Sequence, residues 1–111
     1  MIDIKNIKDV YLYTSNVDMR FGIFAIQRVL SLSFSPIEIL DSLFIFVSRD
    51  RKTIKIYYEN EYGNWLFINK MKYYKFQVKD LNNATQISIN DVDKLLKGVE
   101  LTSEIIKQKT I

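Results

Sequence analysis

Four strand-like segments follow one another between Ser42 and Lys79, and the short connections between them restrict the possible folds. Each is rich in the β-branched and aromatic residues that favour strands. They are SLFIFVS (42–48), TIKIYYE (53–59), WLFINK (65–70) and YYKFQVK (73–79). Parallel pairing needs a crossover of a dozen or more residues, whereas the intervening RDRK, NEYGN and MK are short turns. Gly63 can supply the positive φ that such a turn requires. The segments therefore predict an antiparallel sheet.

Helical patterns flank these segments. KDVYLYT (8–14) reads as another strand, and Ser15 and Asp18 behind it fit a capping box that opens a helix. Its apolar stripe, Met19, Ile23, Ile26 and Leu30, has helical spacing. TQISI (85–89) is a short strand, and a second capping box, Ser88 and Asp91, opens a helix that stops at Gly98.

The pattern predicts the α+β class. We expect an antiparallel sheet of about five short strands, with one long helix packed on a face and a short C-terminal helix. We expect residues 1–101 to form a single domain, and residues 102–111 to form a C-terminal tail that is a frayed helix or partly disordered.

Two residues are unusual for a helix start. Arg20 falls in the predicted first turn, where the helix dipole disfavours a cation. Gly22 follows, although glycine inside a helix costs about 1 kcal/mol relative to alanine. Arg20 would be explained if it binds a partner or a neighbouring carboxylate. Gly22 would be explained if the helix passes close to a strand at that position.

The residue types argue against an enzyme. The chain has neither histidine nor cysteine, which removes the commonest general base and the commonest zinc ligands. The carboxylates read as surface or capping groups, so we expect no catalytic residue, metal or other cofactor. A nuclease that uses Mg²⁺ and Asp18 is the remaining catalytic alternative.

The chain reads as a cytoplasmic protein. The N-terminus lacks the apolar run of a signal peptide, and no apolar stretch is long enough to span a membrane. We therefore expect neither a membrane nor a small-molecule substrate among its partners.

Positive charge is concentrated in the middle of the chain. The formal net charge is only +3 with a pI near 9.1, but residues 49–79 hold eight of the cations and three of the anions. If the strand faces coincide, one open face carries Lys55, Tyr57, Tyr73 and Lys75, rimmed by Arg49, Arg51, Lys52 and Lys70. Such a face can pair with phosphates and stack on bases. It suits a protein partner equally well, because Tyr, Trp and Arg are enriched at interfaces.

Three stretches together resemble one known family. They are VYLYTSNVDMRFGI (10–23), LFIFVSRDRKTIKIYYENEYGNWLFINK (43–70) and ISINDVDKLLKGV (87–99). In this order they resemble the small TnpB accessory proteins of bacterial transposons of the insertion sequence 66 family. The resemblance covers roughly residues 8–100 and places Asp18, Met19, Arg20, Gly22, Gly63 and Trp65 on the family's motifs. Val17, Phe21 and Asn60-Glu61 depart from the usual residues.

The resemblance implies an auxiliary role in DNA transposition and recombination. A separate transposase carries the chemistry, and this protein acts with it as a non-catalytic accessory through DNA contacts, protein contacts or both. The expected contact residues are Arg20, Arg49, Arg51, Lys52, Lys55 and Lys70. The alternative is a protein–protein adaptor without DNA contact that uses Tyr57, Trp65, Tyr73 and the exposed sheet edge.

Overall fold

A computed structural model of the chain describes residues 6–14, 20, 22–73, 75–78 and 85–96. Within them, five strands and three helices form a mixed α+β fold. The strands are β1 (Val10–Tyr13), β2 (Leu43–Val47), β3 (Thr53–Asn60), β4 (Gly63–Lys70) and β5 (Thr85–Ile87). The helices are α1 (Ile23–Ser31), α2 (Pro36–Ile39) and α3 (Ile89–Leu96). The predicted α+β class is confirmed.

The strands lie in the order β4-β3-β2-β1-β5. The pairs β2–β3, β3–β4 and β1–β5 are antiparallel, as the short turns predict. The pair β1–β2 is parallel, because α1 and α2 lie between the two strands and return the chain to its starting end. The sheet is therefore mixed, with β1–β2 as its parallel pair.

Both faces of the sheet are covered. On one face, Ile26 and Leu30 of α1 pack with Tyr11, Phe44 and Tyr57 of the strands. On the other face, Val92 and Leu95 of α3 and the loop residue Phe76 pack against the alternate strand residues, among them Leu12, Ile45 and Ile54. The expectation of one open face is therefore wrong, because α1 covers the face of Lys55 and Tyr57, and α3 and the loop cover the other face.

Helix α1 begins later than predicted. Ile23 is its first residue, and Gly22 is the N-cap, with extended φ and ψ of −90° and −173°. Arg20 therefore precedes the helix instead of opposing its dipole from inside. A Cβ at Gly22 would meet nothing within 4 Å, so the glycine does not serve a close approach to a strand. The predicted capping box at Ser15 and Asp18 lies outside the described residues.

Two capping boxes organise the other helices. Ser88 and Asp91 at α3 exchange the expected pair of bonds, at 3.0 and 3.2 Å, which confirms the predicted box. Ser35 and Glu38 form a similar box at α2, with Pro36 at its first position. Sequence reasoning missed α2 because serines before a proline read as the end of the preceding helix.

The segment 75–78 keeps the alternation of a strand but not its hydrogen bonds. Lys75 and Gln77 are exposed, Phe76 is buried and Val78 is half-buried. The N–H of Phe76 donates to the carbonyl of Arg51, in a turn, at 2.7 Å. The predicted fourth strand of the series is thus an extended loop held by the β2–β3 turn.

None of the helices in the described part of the chain is long and apolar enough to cross a membrane.

Gly22 offers a direct test of the helix start. Gly22→Asp should raise the free energy of unfolding by about 0.5–1 kcal/mol, because the carboxylate can cap free N–H groups and meets the positive end of the helix dipole. Gly22→Ala should lower it by a similar amount, because alanine is a poor N-cap. Urea unfolding of both variants measures the difference, and equal stabilities would show that α1 does not begin there.

The half-buried Tyr13 and the buried Tyr57 make stability fall at alkaline pH. Burial raises the pKa of Tyr13 to about 12, and burial with a bond to Glu59 raises the pKa of Tyr57 further. The folded protein holds these protons more tightly than the unfolded chain does. The stabilisation is therefore complete below a pH of about 10 and is lost as the pH rises above it. Tyr13→Phe should reduce the loss in urea unfolding between pH 9 and 12, and an unchanged profile would contradict this assignment.

Candidate nucleic-acid interface at the basic end of the sheet

The predicted cations meet at one end of the sheet instead of on a face. β1 and β2 end there, β3 begins there and β4 ends there, as the strand registers show. We call this region the basic end. It carries Arg49, Arg51, Lys52, Lys70, Lys72 and Lys75.

The β2–β3 turn is a rigid part of this end. Ser48 and Thr53 close it with a backbone bond of 2.9 Å, and the Arg51 N–H donates to the Ser48 carbonyl at 3.0 Å. The Ser48 hydroxyl donates to Asp50 at 2.7 Å and accepts from the N–H of Lys52 and of Thr53. The turn is thereby closed by side chains as well as by the backbone.

Arg51 links three parts of the chain. Its Nε donates to the Val78 carbonyl at 2.7 Å, and its Nη1 donates to the carbonyls of Ser48 and Thr14 at 2.9 and 3.2 Å. Its backbone has a φ of 63°, which is uncommon for a residue with a side chain. Although the sequence groups Arg51 with the DNA contacts, its guanidinium is engaged with carbonyls of its own chain.

The loop after β4 crosses this end and displays further cations. The Met71 N–H donates to the Lys52 carbonyl at 2.7 Å, and the buried ring of Phe76 anchors the other side of the loop. Lys72, Tyr73 and Lys75 are exposed between these anchors, and Tyr73 is 84% exposed. No sequence motif singles out Lys72, yet the loop places it with the others.

Among the described residues of the basic end, the exposed cations outnumber the carboxylates. Arg49, Lys52, Lys70, Lys72 and Lys75 are exposed, and Asp50 is the one carboxylate of the turn. The Ser48 hydroxyl and the Lys52 N–H hold the pKa of Asp50 below its usual value, helped by the charges of Lys52 and Lys75. The described part of the basic end therefore has a net positive charge.

The proposed basic and aromatic sheet face does not form. Tyr57 is fully buried, and its hydroxyl donates to Glu59 at 2.6 Å and accepts from Gln27 at 3.1 Å. Lys55 is half-buried on the same face, next to Ile68 in the register. Tyr57 is thus excluded as a contact residue, because α1 covers the face that the alternation leaves open.

The family-motif residues have separate positions. Arg20 is exposed in the connection from β1 to α1, which leaves the sheet at the basic end. Gly63 has a φ of 150° after the hairpin tip, as predicted, and Trp65 is half-buried with its ring 5.7 Å from that of Tyr58. Asp18 and Met19 lie outside the described residues.

The opposite end of the sheet is acidic. Asp9, Asp41, Glu59 and Glu61 lie where β1 and β2 begin and where β3 ends. An open cleft of about 770 Å³ there is lined by Asp41, Tyr58, Glu61, Tyr62 and Trp65, among others. Among the described residues, no group of three or more acidic side chains is arranged to hold a metal ion.

The structure is therefore that of a small mixed α+β protein whose sheet has a basic end and an acidic end. Comparison with protein families matches residues 8–105 to the IS66 Orf2 like protein family. The chain therefore belongs to this family of transposition-associated accessory proteins, as the sequence resemblance predicts. Neither the curated proteins nor the solved structures contain a match to it.

The two arginines of the turn should behave differently. Arg51→Ala should lower the free energy of unfolding by about 2–3 kcal/mol, because three carbonyls lose a charged donor. Arg49→Ala, the matched exposed control, should change it by less than about 0.5 kcal/mol. Urea unfolding with circular dichroism compares them, and equal effects would exclude the structural role of Arg51.

Proposed function

We propose that this protein is a non-catalytic accessory of DNA transposition. It works in the bacterial cytoplasm with the separate transposase of the same element, and it places its basic end against DNA. One observation carries the proposal. Exposed cations of the β2–β3 turn, of the end of β4 and of the loop after β4 lie together at one end of the sheet. Family membership supports the transposition context.

The shape of the basic end favours contacts with phosphates. Arg49 and Lys52 lie on a turn closed by Ser48, Lys70 is the last residue of β4, and Lys72 and Lys75 lie on a loop anchored at both sides. Cations on such supports lose little conformational freedom when they bind a phosphate. Phosphate contacts position a protein on DNA but carry no direct sequence information. Tyr73 adds an exposed ring that can stack on an unpaired base at a DNA end.

The charge distribution also sets an orientation. The acidic end repels the phosphate backbone while the basic end attracts it, so the protein approaches DNA with the β2–β3 turn first. The acidic end then faces away from the DNA, where the transposase can reach it. Arg20, exposed in the β1–α1 connection, is a further expected contact residue.

A protein–protein adaptor that does not contact DNA is the second candidate. Phe24 and Leu32, each 83% exposed, and Ile37, 74% exposed, project from α1, its C-cap and α2. Large exposed apolar side chains favour a protein partner where they lie close together. In this function the transposase binds the helices, and the basic end is a solvated surface.

Fluorescence anisotropy with labelled duplex DNA distinguishes the two candidates. Arg49→Gln/Lys75→Gln removes one arginine and one lysine from the basic end, and Arg28→Gln/Lys94→Gln removes the same types from the last turns of α1 and α3. For phosphate binding, the first pair should make the log–log salt slope less steep by about 1.8, at about 0.9 per contact. The second pair should leave the slope unchanged.

The outcomes separate the functions clearly. Tighter binding to the transposon end than to a scrambled duplex would indicate site recognition, and equal binding would indicate a non-specific DNA clamp. Equal slopes for the two double variants would show that the basic end is not the interface. No binding at low salt would refute direct DNA contact. Co-purification with the transposase, with and without Ile37→Ser, then tests the adaptor function.

A further inference from the structure

We propose that the outer edge of β4 pairs with the same edge of a second copy of this chain, which gives a twofold dimer with a continuous sheet. This inference does not rest on the proposed DNA contact, although Lys70 belongs both to the basic end and to this edge. Strand β4 is an edge strand with β3 as its neighbour, and no strand of the described residues pairs with its outer side.

The hydrogen-bond register shows which groups point outward. The Met71 N–H bonds to the Lys52 carbonyl, so Met71 and the strand residues of the same parity face β3. In an antiparallel pair, the alternate residues direct their N–H and C=O groups to the other side. Those residues are Asn64, Leu66, Ile68 and Lys70.

This edge has few of the features that prevent strand pairing. Its register with β3 runs without interruption from Gly63 to Lys70, so it has no bulge, and it contains no proline. Its middle is apolar on both faces, with Leu66 and Ile68 on one and Trp65 and Phe67 on the other. Ile68 is 57% exposed. Lys70, the only charged residue of the strand, lies at its end, where it protects the edge least.

The strand is complementary to itself in one register. With Phe67 on the twofold axis, Leu66 lies opposite Ile68 of the second copy, and Asn64 lies opposite its Lys70. All the outward-facing residues then pair, and no two like charges are opposed. If the axis lies at Leu66 or at Ile68 instead, one outward-facing residue pairs with a residue beyond the strand. Self-complementarity is what a twofold interface requires.

Charge favours the same arrangement. An antiparallel pair brings the acidic hairpin tip of one copy, with Glu61, beside Lys70 and Lys72 of the other. A parallel pair would oppose the two basic ends. The tip also carries Tyr62, 83% exposed, which this register places beside the exposed Lys72–Tyr73 segment of the second copy. Strand pairing buries less area than a typical stable interface, so the dimer should dissociate on dilution.

Sedimentation equilibrium of the full chain over a concentration series tests the pairing. The unmodified chain should show a monomer–dimer equilibrium. Ile68→Lys should weaken it by at least about tenfold, because each copy gains a charge at the apolar centre of the edge. Ile37→Lys makes the same change at an exposed position on α2 and should leave the equilibrium unaltered. Circular dichroism verifies that both variants fold.

A cross-link tests the register. The chain has no cysteine, so an introduced one is a unique reporter. Facing non-hydrogen-bonded residues of antiparallel strands have Cα atoms about 4.5 Å apart, which a disulfide can span. Phe67→Cys on the axis should therefore form a disulfide dimer on mild oxidation. Asn64→Cys should form little disulfide dimer, because in this register residue 64 of one copy lies far from residue 64 of the other.

Several results would overturn the proposal. The first is that the unmodified chain stays monomeric at every concentration. The second is that the Ile68→Lys variant dimerises as the unmodified chain does. The third is that the two cysteine variants cross-link equally. A monomer that binds only the transposase through this edge would also overturn it, because the occupant would then be a strand of another protein.

Discussion

The side chain of Arg51 connects the parts of this protein on which its basic end depends. One guanidinium holds the end of β1 at Thr14, the β2–β3 turn at Ser48 and the crossing loop at Val78. The planar group offers several donors in fixed directions, which a lysine cannot supply. Without these bonds, the loop with Lys72 and Lys75 would lose one of its attachments to the sheet. The arginine in the middle of the cationic run therefore positions the cations around it.

Coverage of both sheet faces determines which surfaces remain for function. The apolar clusters under α1 and under α3 occupy the faces, so the two ends, the helix surfaces and the β4 edge are left. These carry different chemistry: cations at one end, carboxylates at the other, apolar side chains on the helices and an open strand at the edge. A small protein with these surfaces can present cations, apolar side chains and an open strand to different partners, although Lys70 belongs both to the basic end and to the β4 edge.

The sequence predicts the clustering of the charged residues of the site but not the burial of the aromatic residue Tyr57. The clustering of Arg49, Lys52 and Lys70 follows from their positions at turn and strand ends, because hairpins return the chain to the same end. Tyr57 was assigned wrongly, since alternation separates two faces but does not show that helices cover both. The role of Arg51 could not be predicted either, because its acceptors lie up to 37 residues away in the chain.

The sequence by itself determined the segments of β1 to β5, the α3 capping box, the positive φ of Gly63, the α+β class and the family, because each depends on local pattern or on an ordered set of motifs. Only the tertiary structure decided the parallel β1–β2 pair, the N-cap role of Gly22 and the conversion of 75–78 from a strand into a loop. The physical reason is that these features depend on contacts between distant segments. Local propensity sets which residues can form a strand, but the available hydrogen-bond partners decide whether they do.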